Sequence, residues 1–138
     1  MIPCMKAPEG FDLSLRVMTM PRDTNHSGTV FGGVVLSYID QAAYMHARRL
    51  GLHRWVTKAM EKIEFIAPVG VGESVTLWTR TEREGRSSAT IRVLVHAERF
   101  KTGEQVHVTE ALVTMVAISP DRRTIDFRSP ATLHVEDE

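Results

Sequence analysis

Asp40 lies in the segment YIDQAAYMHA, which is otherwise apolar and rich in alanine. Its helical neighbours Leu36, Ala43 and Ala47 are apolar, and no Lys or Arg stands at i±4. An unpaired carboxylate is costly to bury, so Asp40 needs water, a donor or a chemical task. The competing reading is a solvated Asp on an outer helix face. Gly32 and Gly33 precede it, at the start of the same apolar pattern. A helix start exposes N–H groups without intrahelical acceptors, and these carry partial positive charge. With no side chains in the way, the Gly33 or Val34 amide could approach a ligand carbonyl and hold a developing oxyanion. Close packing of the helix start against a sheet would explain the glycines equally well.

Asn25, in PRDTNHSG, suits a turn or cap on its own terms and is also a versatile polar group. Asp23 and Thr24 suit holding that loop. Downstream, EGRSS places Arg86, Ser87 and Ser88 in a turn. A guanidinium, two hydroxyls and turn amides can bind phosphate, although a plain hairpin with a solvated Arg has the same composition. The single cysteine, Cys4, cannot form an intrachain disulfide, and a position near a flexible terminus makes it a weak nucleophile candidate. The six histidines, from His26 to His134, show no metal-ligand spacing, so no metal is predicted.

These groups must be positioned by a small number of elements. LSLRVMTM (Leu13–Met20) alternates with period two and predicts a strand. From Phe31 to Leu50, Val35, Ile39, Ala42 or Ala43, His46 and Leu50 recur at helical spacing. Gly51, with Arg48 and Arg49 in the last turn, marks the stop. WVTKAMEKIEFIAPV then predicts an extended segment with Trp55, Thr57, Ala59, Ile63 and Phe65 on one parity. Glu61 on that parity signals an edge, a bulge or a polar pocket. Three more strands follow across short Gly turns. Val75 and Leu77 share one face of the first; Ala89, Ile91, Val93, Val95 and Ala97 share one face of the second. In the last strand Val106, Val108, Leu112, Thr114 and Val116 are predicted to share a face. Short turns imply antiparallel neighbours. The fold class is therefore α+β, one long helix in the concavity of a sheet of about five strands.

The chain has 138 residues, enough for one domain with a core. Residues 1–12 are expected to form a loose arm, residues 13–119 the domain, and residues 120–138 a polar tail. Lys plus Arg and Asp plus Glu both number 17, so net charge makes no case for nucleic acid or an anionic membrane. A local basic patch, all that a small anionic ligand needs, is compatible with that balance. No apolar run reaches the ~18 residues of a membrane span, and the start lacks a signal-peptide core. A cytoplasmic protein is expected.

The element order and PRDTNHSGTVFGGVVLSYIDQAA resemble the hotdog-fold acyl-CoA thioester hydrolases, of the bacterial acyl-CoA thioesterase and brain acyl-CoA hydrolase type. That group shows P-x-D-x-N, then G-x-x-F/H-G-G, then an acid seven places after the second Gly. Here these are Pro21, Asp23, Asn25, Gly28, Phe31, Gly32, Gly33 and Asp40. WVTKAMEKIEFIAPVGVGE, EGRSS and TEALVTMVAIS are similar to later family stretches, so the resemblance runs from Leu13 to Ser119. It implies a hotdog fold and hydrolysis of acyl-CoA to a free acid and CoA. No cofactor is implied beyond CoA as part of the substrate. Asp40 would be general base or nucleophile, with Gly32 and Gly33 amides as oxyanion hole and Asn25 supplied by the neighbouring subunit. Arg86, Ser87 and Ser88, and more weakly Thr57 and Lys58, would hold CoA. A homodimer is implied as the minimal unit, with three dimers forming a hexamer. Tyr44, Met45, Met60 or Phe65 would limit an acyl tunnel unless they serve as core. The alternative is a non-catalytic acyl-CoA-binding module, for which an acid such as Asp40 is unnecessary. A hydratase would place His five residues after the acid, where this chain has Met45.

Overall fold

The computed structural model describes residues 6–133, and Cys4 and His134 lie outside the described residues. Strand β1 (Asp12–Met18) is followed by a 3-10 turn at Pro21–Asp23 and helix α1 (Gly32–Leu50). Strands β2 (Arg54–Glu61), β3 (Ser74–Glu84), β4 (Ser88–Glu98) and β5 (Gln105–Ile118) complete the sheet. The sheet order is β1-β3-β4-β5-β2, with antiparallel pairing throughout. β1 and β2 are therefore the two edges, and α1 contacts all five strands.

The helix lies close to the sheet because its inner face is small. Ala42, Ala43 and Ala47 are fully buried between Val35, Ile39 and the β4 residues Ala89, Ile91, Val93, Val95 and Ala97. The β4 face is the one the alternation predicts. Gly51 ends α1, but with extended backbone rather than a left-handed cap. Glycine is needed there for closeness: a Cβ would lie 2.5 Å from the Phe127 carbonyl oxygen.

Register slips interrupt β1, β2, β3 and β5, and those in β2 and β5 overturn a predicted face. The β2–β5 register slips between Thr57 and Ala59, leaving Lys58 as the extra residue. Beyond it Met60, not Ala59, packs on the core, and Glu61 leaves that face. Lys62 has φ +58 and ends the strand, so Phe65 lies in a loop and is 45% exposed. In β5 a slip opposite Val95/His96 makes Val108 the extra residue. Past it Ala111, Val113, Met115 and Ala117 face α1, the reverse of the predicted set of Leu112, Thr114 and Val116.

Residues beyond Pro120 are irregular but not peripheral. Phe127 is 3% exposed and its ring lies 5.5 Å from that of Trp55. The buried His53 binds the Phe127 carbonyl at 2.8 Å, and the Phe127 amide donates to the Arg86 carbonyl. At the other terminus, Arg80 stacks on Phe11.

His46, buried on α1, has Nδ1 2.8 Å from Thr79 Oγ1 and Nε2 2.7 Å from Thr81 Oγ1. Arg49 also faces Nδ1, and a guanidinium can only donate. Nδ1 is thus the acceptor and Nε2–H donates to Thr81. Burial and then the Arg49 charge lower the His46 pKa below 6.5, with Asp12 opposing. The unfolded chain therefore takes up this proton first as pH falls. The stabilisation from neutral His46 is complete above about 6.5 and is lost as pH falls through the lowered folded value. His96 contributes with the same sign, through burial and then His107. Melting curves at about pH 7.5 and about pH 5.5 should show a smaller acid-induced drop for His46→Gln than for wild type. An equal drop would remove His46 from that account.

Candidate active site

The loop before α1 is held from several sides. Asp23 Oδ2 accepts the Met20 amide at 2.8 Å, and Asp23 O accepts the Phe31 amide at 3.0 Å. Burial, and then the Asp23 carboxylate, raise the pKa of Tyr38 on α1. Val30 donates to the Val69 carbonyl, and Gly28, at φ +83, closes a turn onto the Asn25 carbonyl. Within this turn Asn25 Oδ1 accepts the Ser27 and Thr29 amides, and Nδ2 donates to Thr29 Oγ1 at 2.9 Å. The turn reading of Asn25 therefore holds within one chain. One Nδ2 hydrogen remains for a further acceptor.

α1 begins without a side-chain cap. Val34 donates to the Phe31 carbonyl at 3.0 Å, which removes it as a free donor. The amides of Gly32 and Gly33 have no acceptor among the described residues. A Cβ on Gly33 would meet nothing within 4 Å, and one on Gly32 would meet only the Phe65 ring at ordinary contact. Neither glycine has a positive φ. The chain's own packing does not require them, so the close-packing reading loses its basis.

Asp40 is half-buried on α1. The Thr57 hydroxyl on β2 donates to its Oδ1 and lies 3.4 Å from Met115 Sδ. These residues, with Tyr44, Met45 and Trp55, line a recess of about 270 Å³. Thr57 thus accompanies the carboxylate rather than the turn carrying Arg86. Tyr44 and Met45 are 37% and 47% exposed, so they line this open surface rather than the core. A second recess of about 370 Å³ opens beside Gly32 and is lined by Phe65, Ile66, Val69 and Val108.

Arg86 is exposed, and among the described residues its side chain makes one weak contact, 3.5 Å to Thr124 Oγ1. The Ser87 and Ser88 carbonyls accept the Ala117 and Gly85 amides, each at 2.8 Å. Arg128 buttresses the turn through Glu84 at 2.9 Å and the Gly85 carbonyl. The turn lies at the end of the sheet where β5 finishes and β2 starts, away from the helix N-terminus. Among the described residues no group of three or more His, Cys, Asp or Glu could hold a metal, and no helix is long and apolar enough to cross a membrane.

The profile of the thioesterase superfamily matches residues 27–104, more than half of the chain. This chain belongs to the thioesterase superfamily. Escherichia coli K12 acyl-CoA thioester hydrolase YciA is 35% identical over 117 residues, 83% of this chain and 88% of that protein. A hexameric thioesterase from Yersinia pestis superposes with TM-score 0.83 at 33% identity, covering 88% of this chain and 99% of the other. A hexameric hotdog-fold thioesterase of Campylobacter jejuni gives 0.80 at 34%, covering 87% and 92%. The architecture is the hotdog fold, and the long helix of this thioesterase carries Asp40 and two amides with no acceptor among the described residues.

Within this thioesterase, residue chemistry together with the family resemblance pointed to Asn25, Gly32, Gly33 and Asp40, but not to Thr57 as the donor to Asp40. A hydroxyl on a strand gives no sequence signal of what it faces. The thioesterase also has an arginine-lined recess that was not singled out. Its trace in the sequence is two basic pairs, Arg48-Arg49 and Arg122-Arg123.

Proposed function

We propose that this thioesterase hydrolyses acyl-CoA to the free acid and CoA at a site shared between two copies of the chain. The observation that carries this reading is the pair of unclaimed amides at Gly32 and Gly33 on the helix that bears Asp40. Asp40 Oδ1 accepts the Thr57 hydroxyl, which leaves Oδ2 to take a proton from water. Water oxygen bonds to the acyl carbon and the C–S bond breaks. The sulfur leaves as the CoA thiol with the proton that Asp40 held. Direct attack by the carboxylate through a mixed anhydride uses the same placement.

One geometric fact favours two chains. Gly33 and Asp40 are seven residues apart, about 10 Å along a straight helix. One carbonyl group cannot meet both at hydrogen-bond distance. Two antiparallel copies of α1 bring the Gly33 amide of one chain over Asp40 of the other. They also bring the remaining Nδ2 hydrogen of Asn25 to the same point. Exposed Phe31 just before α1, Tyr44 and Met45 on it, and Val56 on the edge strand β2 give such a pairing apolar surface to cover. A homodimer is the minimal unit, and a trimer of dimers is compatible with it. Gly32, Gly33, Asn25 and Asp40 are the catalytic set, and Arg86, Ser87 and Ser88 remain candidates for CoA.

Subunit mixing tests the shared site. Asp40→Ala and Asn25→Ala should each be inactive on a panel of acyl-CoAs. Co-expressed in equal amounts, they should recover about a quarter of wild-type activity, since half the dimers are mixed and each has one intact site. Absence of rescue would assign both residues to one chain. Absence of free CoA from the wild-type protein across the panel would remove the hydrolase reading and leave a binding module.

A further inference from the structure

A recess of about 650 Å³ lies beyond Asp40, toward the C-terminal end of α1. It is lined by Arg48 on α1, Arg54 at the start of β2 and Arg122 after β5, and none of the described residues lining it is Asp or Glu. Two of its walls, Tyr44 and Trp55, also line the Asp40 recess, so the two cavities adjoin. In a chain whose charges cancel, Arg48 and Arg122, with no described carboxylate on the recess wall, concentrate positive charge in one place.

We propose that this recess binds the phosphates of the CoA nucleotide, with Arg48 and Arg122 as the principal contacts. The proposal rests on the acyl-CoA reading of the Asp40 site.

Several features separate these arginines from the other cations of the same region. Arg123 pairs with Asp121, and Arg128 pairs with Glu84 and Asp126. Arg49 turns to Ser14, His46 and Thr79. Arg48 and Arg122 have no ion pair among the described residues. Arg122 is held at φ +66, a conformation that costs free energy for a residue with a side chain. From that position Arg122 lines the recess. The last carbonyls of a helix carry partial negative charge, so an anion here must be held by the side chains.

Distance and polarity also agree. Arg48 is eight residues past Asp40, about 12 Å along the helix, so an extended arm must connect the thioester to the phosphates. The apolar recess at Gly32 and Phe65 lies at the opposite end of α1, where it suits the acyl group. The Arg86 turn is at the same end of the sheet as Arg122, because Ser87 and Ile125 both bond Ala117. Arg86 can therefore extend the same positive surface.

The test compares two substrates that share the acyl group and differ in phosphates. Arg48→Gln keeps a good helix former, and Arg122→Gly suits the positive φ, so the double variant should fold. For acyl-CoA its KM should rise about tenfold per guanidinium lost, with kcat nearly unchanged. For the matching acyl-pantetheine thioester, which has no phosphate, kcat/KM should match wild type. An unchanged KM for acyl-CoA, or an equal loss on both substrates, would overturn the proposal. If wild type hydrolyses no acyl-CoA, the proposed function fails instead. Calorimetry with adenosine 3′,5′-bisphosphate then decides the recess: binding lost in the double variant supports it, and no binding to wild type overturns it.

Discussion

Asp40→Ala is expected to lower kcat for acyl-CoA hydrolysis by about 10²–10⁴-fold, the usual contribution of a positioned general base. Nothing else among the described residues lining the recess can take over. Its other lining side chains are Gln41, Tyr44, Met45, Trp55, Thr57 and Met115, none of them a carboxylate or imidazole. The fold should tolerate the change, because alanine is the best helix former and Asp40 is only half-buried. The loss leaves the Thr57 hydroxyl without this acceptor, at a surface open to water. Steady-state kinetics with thermal melting checks both halves. A variant that melts normally and keeps activity within about tenfold of wild type would end the assignment of Asp40 as base or nucleophile.

Gly33→Pro is expected to lower kcat by about 10²–10³-fold, the cost of losing one oxyanion donor. Proline is an informative replacement here. The Gly33 amide has no acceptor among the described residues, so removing it breaks no helical hydrogen bond. The residue before a proline usually resists helical geometry because its Cβ meets the ring, and Gly32 has no Cβ. Space around Gly33 is open. The melting temperature should therefore stay within about 4 °C of wild type, while a structural role would show as a larger drop. Full activity in Gly33→Pro would place the oxyanion elsewhere. Co-expression of Gly33→Pro with Asp40→Ala gives a further check. If the amide and the carboxylate come from different chains, that pair should rescue activity as Asn25→Ala and Asp40→Ala should.

Most of the fold was legible because α1 and β4 are uninterrupted. Helical spacing placed Val35, Ile39 and His46 inside, and strict alternation placed Ala89 through Ala97 inside. The inward faces of β2 and β5 were not legible past their bulges. One extra residue at Lys58 or Val108 inverts every later side chain, and neither residue type announces a bulge. Phe127 was assigned to a polar tail, since a single aromatic among Asp, Arg and Ser has no periodicity. It is buried because residues 124–127 return across the β5 end and pair with Ala117 and Arg86.

The sequence by itself determined which local pieces this protein has. They are a turn around Asn25, a helix that opens on two glycines, and an acid two turns along it. Each depends only on residues close in the chain, whose backbone preferences and helical rise are set locally. Tertiary structure decided what those pieces meet. It brought the Thr57 hydroxyl to Asp40 from 17 residues away and left the Gly32 and Gly33 amides without an acceptor among the described residues. It also gathered Arg48, Arg54 and Arg122 from three segments around one recess. Such contacts follow from strand register and chain return, which are set by burial over the whole sheet and not by neighbouring residues.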